Sequence, residues 1–409
     1  MRLGYRLAAI ASSLLFLLSF LAAPSLGNDT VKLSSDLIAY YEHNKSEETL
    51  NPHNIIGLSE NILEVAALLR IELSGISGSV RISGKRETIN ETGNTSKKIE
   101  LTKVSSRILI TDSVQFVLSK KTMNLDGGYF FHPLDFFEDN RLLGDLSDKR
   151  GVEKGFSMAG IDFLPTEWQL SLIYSDDSDS DVKDYNRKMR QFLARLRFVQ
   201  DKMDGSIVLQ KYEKSSIGIG GAVSLVPNSS LEIHVSGLLR PGRDRPINSR
   251  LYIDQFHEYD KDYYNRLLLG LQWTSESLVN CIFEYSYDSS GFSNGEWNKY
   301  SRYVDIHRTM QSSIKNLILS SDAALLSMGR QHHLYGRLAL GGLPLKPEIS
   351  SVIGIDGSGW VKLRATYVFG RGEIWGDLKH NYGSSKSEFG MSPSYVTTTI
   401  GVRYSLDLF

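Results

Sequence analysis

The chain has 409 residues, a formal net charge of −1, 41% hydrophobic side chains, 10% aromatics, 35 glycines and one cysteine. The near-neutral balance gives no basic surplus pointing to nucleic acid, and the lone Cys281 excludes an internal disulfide framework. Beyond the N-terminus no stretch approaches the ~18 apolar residues of a helical span; a tyrosine- and glycine-rich chain of this kind suits a membrane β-barrel, and a soluble β-sandwich or propeller shares the composition.

At the N-terminus, Arg2 and Arg6 precede the apolar run Leu7 to Ala23, followed by Pro24-Ser25-Leu26-Gly27. A basic start, an apolar middle and small residues before a cut predict a secretory leader over residues 1–27, cleaved after Gly27; the other reading is a membrane anchor helix. Residues 28–409 then form one domain, and loss of Arg2 and Arg6 takes the net charge from −1 to about −3.

Alternation dominates the chain beyond the leader. Leu37, Ala39 and Tyr41 mark a first strand within 36–42, and a polar stretch runs from His43 to Asn61. Leu63, Val65, Ala67, Leu69, Ile71 and Leu73 then oppose Glu64, Ala66, Leu68, Arg70 and Glu72. A turn at Gly75 to Gly78 leads to Val80, Ile82 and Gly84 against Arg81, Ser83 and Lys85, which predicts a hairpin with one apolar and one charged face. Arg86 to Lys98 is polar and reads as a loop, and Ile99 to Ile110 as the next strand.

The stretch Val114 to Phe137 starts as a strand, breaks at Asp126-Gly127-Gly128, and enters an aromatic cluster closed by Pro133 and Asp135. Gly127 and Gly128 permit a tight or closely approaching backbone, and Pro133 stops sheet pairing. A strand running into a glycine break and an aromatic-Pro-x-Asp loop resembles alginate-export-like and related porin-like outer-membrane β-barrels. The resemblance departs at Lys120-Lys121, where those families carry Gly-Arg-Gln, and in the missing turn tryptophan. It implies passage of an anionic or polar solute, including a saccharide, with outer-membrane lipid and the barrel-assembly machinery as partners.

Further on, Glu138 to Lys154 and the acidic Ser175 to Lys188 read as loops, with a hairpin between them across Pro165-Thr166. Alternating runs recur at 192–199, 217–225, 231–240, 266–273, 279–287, 334–340, 361–367, 374–379 and 400–408. Short turns alternate with longer loops, and aromatics gather at strand ends, as in barrels with short periplasmic turns and aromatic girdles. The expected fold is therefore all-β: an antiparallel up-and-down transmembrane barrel of 16 or 18 strands. Gly291 to Gly329 breaks the rhythm, with Tyr303, Ile306, Met310, Ile314, Leu317, Leu325 and Leu326 near helical spacing; it predicts a helical loop, either a constriction or plug in the lumen or a cap on the rim. Its start, GFSNGEW, also resembles a loop of porin-like barrels, and the terminal Phe409 resembles their assembly signal, although it lies out of phase with the apolar face.

Charges cannot face lipid without large cost, so alternation turns them inward. Arg70, Arg81, Lys85, Arg195, Arg197, Arg240, Arg266, Arg337, Lys362, Arg364, Lys379 and Arg403 are the candidate pore-lining cations, against Glu64, Glu72, Glu232, Glu284, Glu373, Asp377 and Asp407. A cationic excess in a lumen favours anions; the alternative is a set of paired wall residues without selectivity. Function then divides between a passive channel for small polar or anionic solutes and a non-conducting barrel with a structural, adhesion or envelope-assembly role.

A third possibility, a barrel phospholipase, rests on His234-Val235-Ser236, whose His-x-Ser spacing resembles outer-membrane phospholipases. Those enzymes need the pair on the lipid face, whereas here it shares a face with Glu232 and Arg240. The adjacent His332 and His333 point to opposite faces, and no Cys/His/carboxylate set has zinc spacing, so neither metal nor cofactor is expected.

Overall fold

The computed structural model describes residues 32–46, 58–73, 76–89, 91–134, 155–176, 190–212, 217–241, 263–308, 329–392 and 394–407. The expected leader, the acidic loop at 177–189, Asp135 and Phe409 lie outside the described residues. The first strands are β1 (Lys32–Ser46), β2 (Asn61–Leu73), β3 (Ile76–Ile89), β4 (Thr92–Thr111), β5 (Val114–Lys121) and β6 (Phe156–Phe163). They continue as β7 (Trp168–Ser175), β8 (Gln191–Gln200), β9 (Met203–Tyr212), β10 (Ile217–Asn228), β11 (Leu231–Pro241), β12 (Tyr263–Thr274) and β13 (Val279–Asp288). One helix, α1 (Asn294–Arg308), precedes β14 (His332–Leu340), β15 (Leu345–Gly354), β16 (Gly359–Phe369), β17 (Gly372–Tyr382) and β18 (Ser394–Asp407).

Each strand pairs antiparallel with its neighbours in sequence, and β1 pairs with β18, so the 18 strands close without an edge. Closure is pinned by charge as well as by the ladder. The Asp36 carboxylate on β1 accepts Arg70 Nη2 of β2 at 2.5 Å, Arg403 Nε of β18 at 3.0 Å and Ser405 Oγ at 2.7 Å, tying the first strand to both neighbours.

The alternation has a direct physical outcome. Leu63, Val65, Leu69, Ile82, Leu196, Ile233, Leu269, Leu271, Leu338, Leu363 and Ile400 are exposed, while the residues between them are covered. A soluble sheet buries its apolar face; a closed barrel with that face outward needs a hydrocarbon surround. Exposed Tyr41, Tyr174, Phe192, Tyr263 and Tyr395 ring the end that carries the long connections, and Phe163, Trp168, Trp273, Tyr367, Phe369 and Tyr404 ring the short-turn end. These two girdles bound the apolar band.

Two departures from the sequence reading are instructive, and one agreement. Arg86 to Lys98 is not a loop: β3 runs to Ile89 and β4 starts at Thr92, and the ladder continues to the Ile89–Thr92 pair. Above a membrane both faces of a hairpin meet water, so strand pairing there needs no apolar face and leaves no alternation to read. The ladders of β9 and β15 fill places where no strand was delineated from sequence. The predicted helical segment contains α1, and its start has a mechanism: Ser293 Oγ accepts the Glu296 N–H at 3.3 Å while the Glu296 carboxylate accepts the Ser293 N–H at 2.8 Å, a reciprocal cap.

Candidate functional site

After β5 the chain leaves the wall and turns into the barrel interior. The residues from Leu125 to Leu134 organise themselves around Asp126. Its carboxylate accepts the Gly128 N–H at 3.2 Å, His132 Nδ1 at 2.8 Å and the Leu134 N–H at 3.0 Å. A short acidic side chain that collects several local donors is an efficient loop former. Leu125 and Leu134 pack into a buried cluster with Phe156, Met158, Ile173, Leu193, Val208, Ala222 and Leu238 on the inner faces of β6 to β11. Phe130 and Phe131 join Leu268, Ile282, Tyr335, Val352, Trp360 and Phe389, reaching across to β16. Phe130 stacks on Tyr335 with ring centroids 4.3 Å apart. Each fully buried side chain of this kind contributes about 1.5–3 kcal/mol to docking.

Glu284 of β13 holds the loop in place. It is fully buried, and its carboxylate accepts three successive backbone N–H groups: Tyr129 at 2.5 Å, Phe130 at 2.9 Å and Phe131 at 3.1 Å. Consecutive N–H groups form a concave anion site, so the buried charge exchanges its hydration for fixed donors. His234 of β11 adds a fourth contact, Nε2 to Glu284 Oε1 at 3.0 Å. One strand lies between the two residues: His234 pairs with Gly270 on β12, and Gly270 pairs with Glu284. The imidazole reaches across Gly270, where an added Cβ would lie 2.0 Å from His234 Nε2. A glycine within a strand here marks a close side-chain crossing. Gly127 and Gly128 serve the same end on the loop side: a Cβ would meet Ser224 Oγ at 2.3 Å and Phe131 O at 2.0 Å. Pro133 is buried at the end of the loop, well past the last residue of β5.

The sequence-named cations lie on the inner side of the wall, and most are paired. Arg70 and Arg403 bond Asp36, Arg81 bonds Glu64 at 2.5 Å, Lys85 bonds Glu87, and Arg197 bonds Asp204 at 2.5 Å. Arg266 meets Asp288 at 3.1 Å, Arg337 meets Glu348 at 2.6 Å, and Lys362 and Arg364 share Asp377 at 3.8 and 2.5 Å. Alternation did not place Asp36, Glu87, Asp204, Asp288 and Glu348 among the inner acids, and they cancel much of the cationic excess derived from it. Arg240 is 9% exposed on β11, and Arg195 of β8 has its Nε buried with no acceptor among the described residues.

One sector keeps an excess. On the inner face of β14 to β17, Arg337, Lys346, Lys362, Arg364 and Lys379 stand against Glu348, Glu373 and Asp377, and Lys362 sits directly opposite Lys379 across the strands. Aromatic faces lie beside them: Arg337 sits 5.1 Å from the Tyr129 ring and Lys379 Nζ 5.0 Å from the Trp360 ring. The loop's Tyr129 thus borders this basic sector.

His234 and Ser236 are each 2% exposed on the inner side, and His234 is engaged with Glu284. The lipid-facing placement that a barrel phospholipase requires is therefore not met. His332 and His333 do point to opposite sides: Nδ1 of His332 meets Tyr285 Oη at 2.7 Å, whereas His333 Nε2 meets Glu388 at 3.0 Å. No grouping of His, Cys, Asp or Glu suited to a metal occurs among the described residues.

The described part of the 291–329 insertion contacts other loops. Trp297 Nε1 donates to Lys386 O at 2.9 Å, and Phe292, Trp297 and Tyr300 form a buried aromatic group. Glu388, in the β17–β18 connection, accepts the Arg330 N–H at 3.1 Å, and Asp356 of the β15–β16 turn bonds Arg330 Nη1 at 2.9 Å and the Glu388 N–H at 2.9 Å. Burial works to raise the Asp356 carboxyl, but bonds from Ser358, the Glu388 and Ser358 N–H groups and Arg330 outweigh it and hold it below the ordinary value.

No protein-family model matches the chain, and no curated protein resembles it in sequence. Solved structures do resemble it in fold. Pseudomonas aeruginosa OccK7 (OpdD) superposes with a TM-score of 0.56 at 10% identity, covering 94% of this chain and 100% of that one. P. aeruginosa OprD gives 0.52 at 10% identity over 93% and 96%, and Acinetobacter baumannii OccAB1 gives 0.52 at 10% over 93% and 97%. At such identities the likeness establishes the closed 18-strand barrel architecture.

Proposed function

We propose that this protein is a channel of the bacterial outer membrane, through which small polar solutes diffuse past a constriction formed by residues 122–134. The observation that carries this reading is the inward loop clamped by Glu284 within a barrel whose inner wall is charged and whose outer wall is apolar. A structural barrel has no evident need for a buried carboxylate holding a loop across its bore, whereas a channel needs a narrow section of fixed size. The leader over residues 1–27 delivers the chain to the envelope, and the barrel-assembly machinery inserts it. The neighbours in fold carry names of the OprD and Occ group, which supports a porin-like role.

Anions are the favoured solutes. The basic sector on β14 to β17 borders the loop, and its surplus of positive charge within a low-dielectric bore raises local anion concentration. A saccharide acid also fits the sector, since Tyr129 and Trp360 offer apolar ring faces beside the cations. Passive diffusion requires no covalent step from any of these residues.

Single-channel recording with reversal potentials tests the reading. Conductance with anion preference that falls on Lys362→Gln/Lys379→Gln is the expected result. A folded barrel that never conducts moves the protein to the non-conducting alternative.

A further inference from the structure

On the outer wall the cations are distributed very differently. Arg86 of β3 and Lys97 of β4 are exposed on the outside of the long hairpin, and Lys45 is exposed on the outside of β1. Register fixes their neighbours. Tyr41, Leu63, Arg86 and Thr95 form one row across β1 to β4, so Arg86 shares its row with an aromatic of the long-loop girdle. Lys97 pairs with Gly84 in the row below, directly above the lipid-facing pair Ile82 and Ile99. Gly84 leaves open space between the two cations, with nothing within 4 Å of where its Cβ would be.

Their pairing state is the second observation. Inside the barrel nearly every named cation has a carboxylate, but Arg86, Lys97 and Lys45 have none among the described residues. The outward positions of β1 to β4 are 33–45, 61–73, 76–88 and 93–101 in steps of two, and they contain no aspartate or glutamate. The face is therefore apolar up to the girdle, then cationic and without counter-charge.

We propose that this outer face of β1 to β4 binds the phosphate groups of a phosphorylated glycolipid packed against the barrel in the outer leaflet. Acyl chains cover Ile82, Ile99 and Leu101, and a phosphate settles between Arg86 and Lys97 over the opening at Gly84, with Lys45 contributing from β1. Arginine supplies a fork of donors to phosphate and lysine a point charge, and both act at the low-dielectric boundary where screening by salt is weak. The proposal rests on the reading of the barrel as an outer-membrane protein with its long loops outward.

The test compares bisphosphorylated lipid A with its fully dephosphorylated form, binding each to the full-length barrel in neutral detergent and measuring affinity by native mass spectrometry. The wild type is expected to prefer the phosphorylated form by roughly tenfold or more, given ~1 kcal/mol for each basic residue at an anionic surface. Lys45→Gln/Arg86→Gln/Lys97→Gln is expected to remove that preference while conductance and heat-shifted gel migration stay unchanged. Lys85→Gln, one residue away but on the inner face, is expected to keep it. Equal binding of the two lipids by the wild type, or a preference that survives the triple substitution, overturns the site. Displacement of the lipid by millimolar inorganic phosphate alone also overturns it, since that marks a free-phosphate site. A wild type that conducts without lipid preference removes this inference and leaves the channel; lipid preference in a silent barrel does the reverse.

Discussion

Two excursions leave the same end of the barrel, and each is fixed by a buried glutamate with a histidine. In one, Glu284 and His234 belong to the wall and the loop supplies backbone N–H groups, so the loop is drawn inward across the bore. In the other, Glu388 belongs to a loop, His333 belongs to β14, and the carboxylate draws neighbouring connections together at the barrel end. The location of the carboxylate, wall or loop, decides whether a connection narrows the lumen or braces the rim. The first clamp sets its carboxylate against backbone N–H groups, and aromatic burial of Phe130 and Phe131 docks the loop beside it. The second adds Arg330 and Asp356, a charged network that tolerates nearby water.

The difference can be broken most strongly at the first clamp. Glu284→Ala leaves three buried N–H groups without an acceptor, at about 1–3 kcal/mol each; the loop is expected to undock, raising conductance several-fold. Gly270→Val is expected to act in the same direction through sterics alone, because its side chain would occupy the path of His234 to Glu284. Conductance traces separate the two, since Gly270→Val keeps the carboxylate and is expected to flicker between docked and undocked levels.

At the rim the expected effects are smaller and depend on pH. The Asp356 carboxyl is held below its ordinary value of 3.8, so its contribution to docking is complete above that range and lost as pH falls through the depressed value. Protease cleavage within α1 is thus expected to stay slow at neutral pH and to accelerate in strong acid. In Asp356→Asn the part of the acid response due to this group is expected to disappear. The smallest effect is expected for Trp297→Phe, which keeps the aromatic packing and removes the bond to Lys386 O, a loss of about 1 kcal/mol in rim docking measured by the same cleavage.

The fold was legible because a lipid-facing wall enforces a two-residue period that no loop reproduces, as at Leu63 to Glu72 and Leu231 to Arg240. It faded where that pressure stops: the upper hairpin at Arg86 to Lys98 rises past the apolar band, where pairing needs no apolar face. The site was legible only in part. Asp126-Gly127-Gly128 marked a tight backbone, and Glu284 was placed inward by alternation. Nothing in local sequence joins Glu284 to Tyr129, Phe130 and Phe131, more than 150 residues away. A hint was available in Gly270, a glycine inside an apolar strand, which signals that something crosses above it. Asp204 and Asp288 lie at the ends of β9 and β13, Asp36 stands where the alternation of β1 begins, and Glu348 lies in β15, which no alternation marked, so charge balance could not be drawn from sequence.

The most direct test is a pair of planar-bilayer recordings, one on the wild type and one on Glu284→Ala, under identical salt. A small, steady wild-type conductance that becomes several-fold larger in the variant is the result required if the Glu284-held loop is the constriction. Equal conductance in two correctly folded barrels would contradict it and place the narrowest section elsewhere.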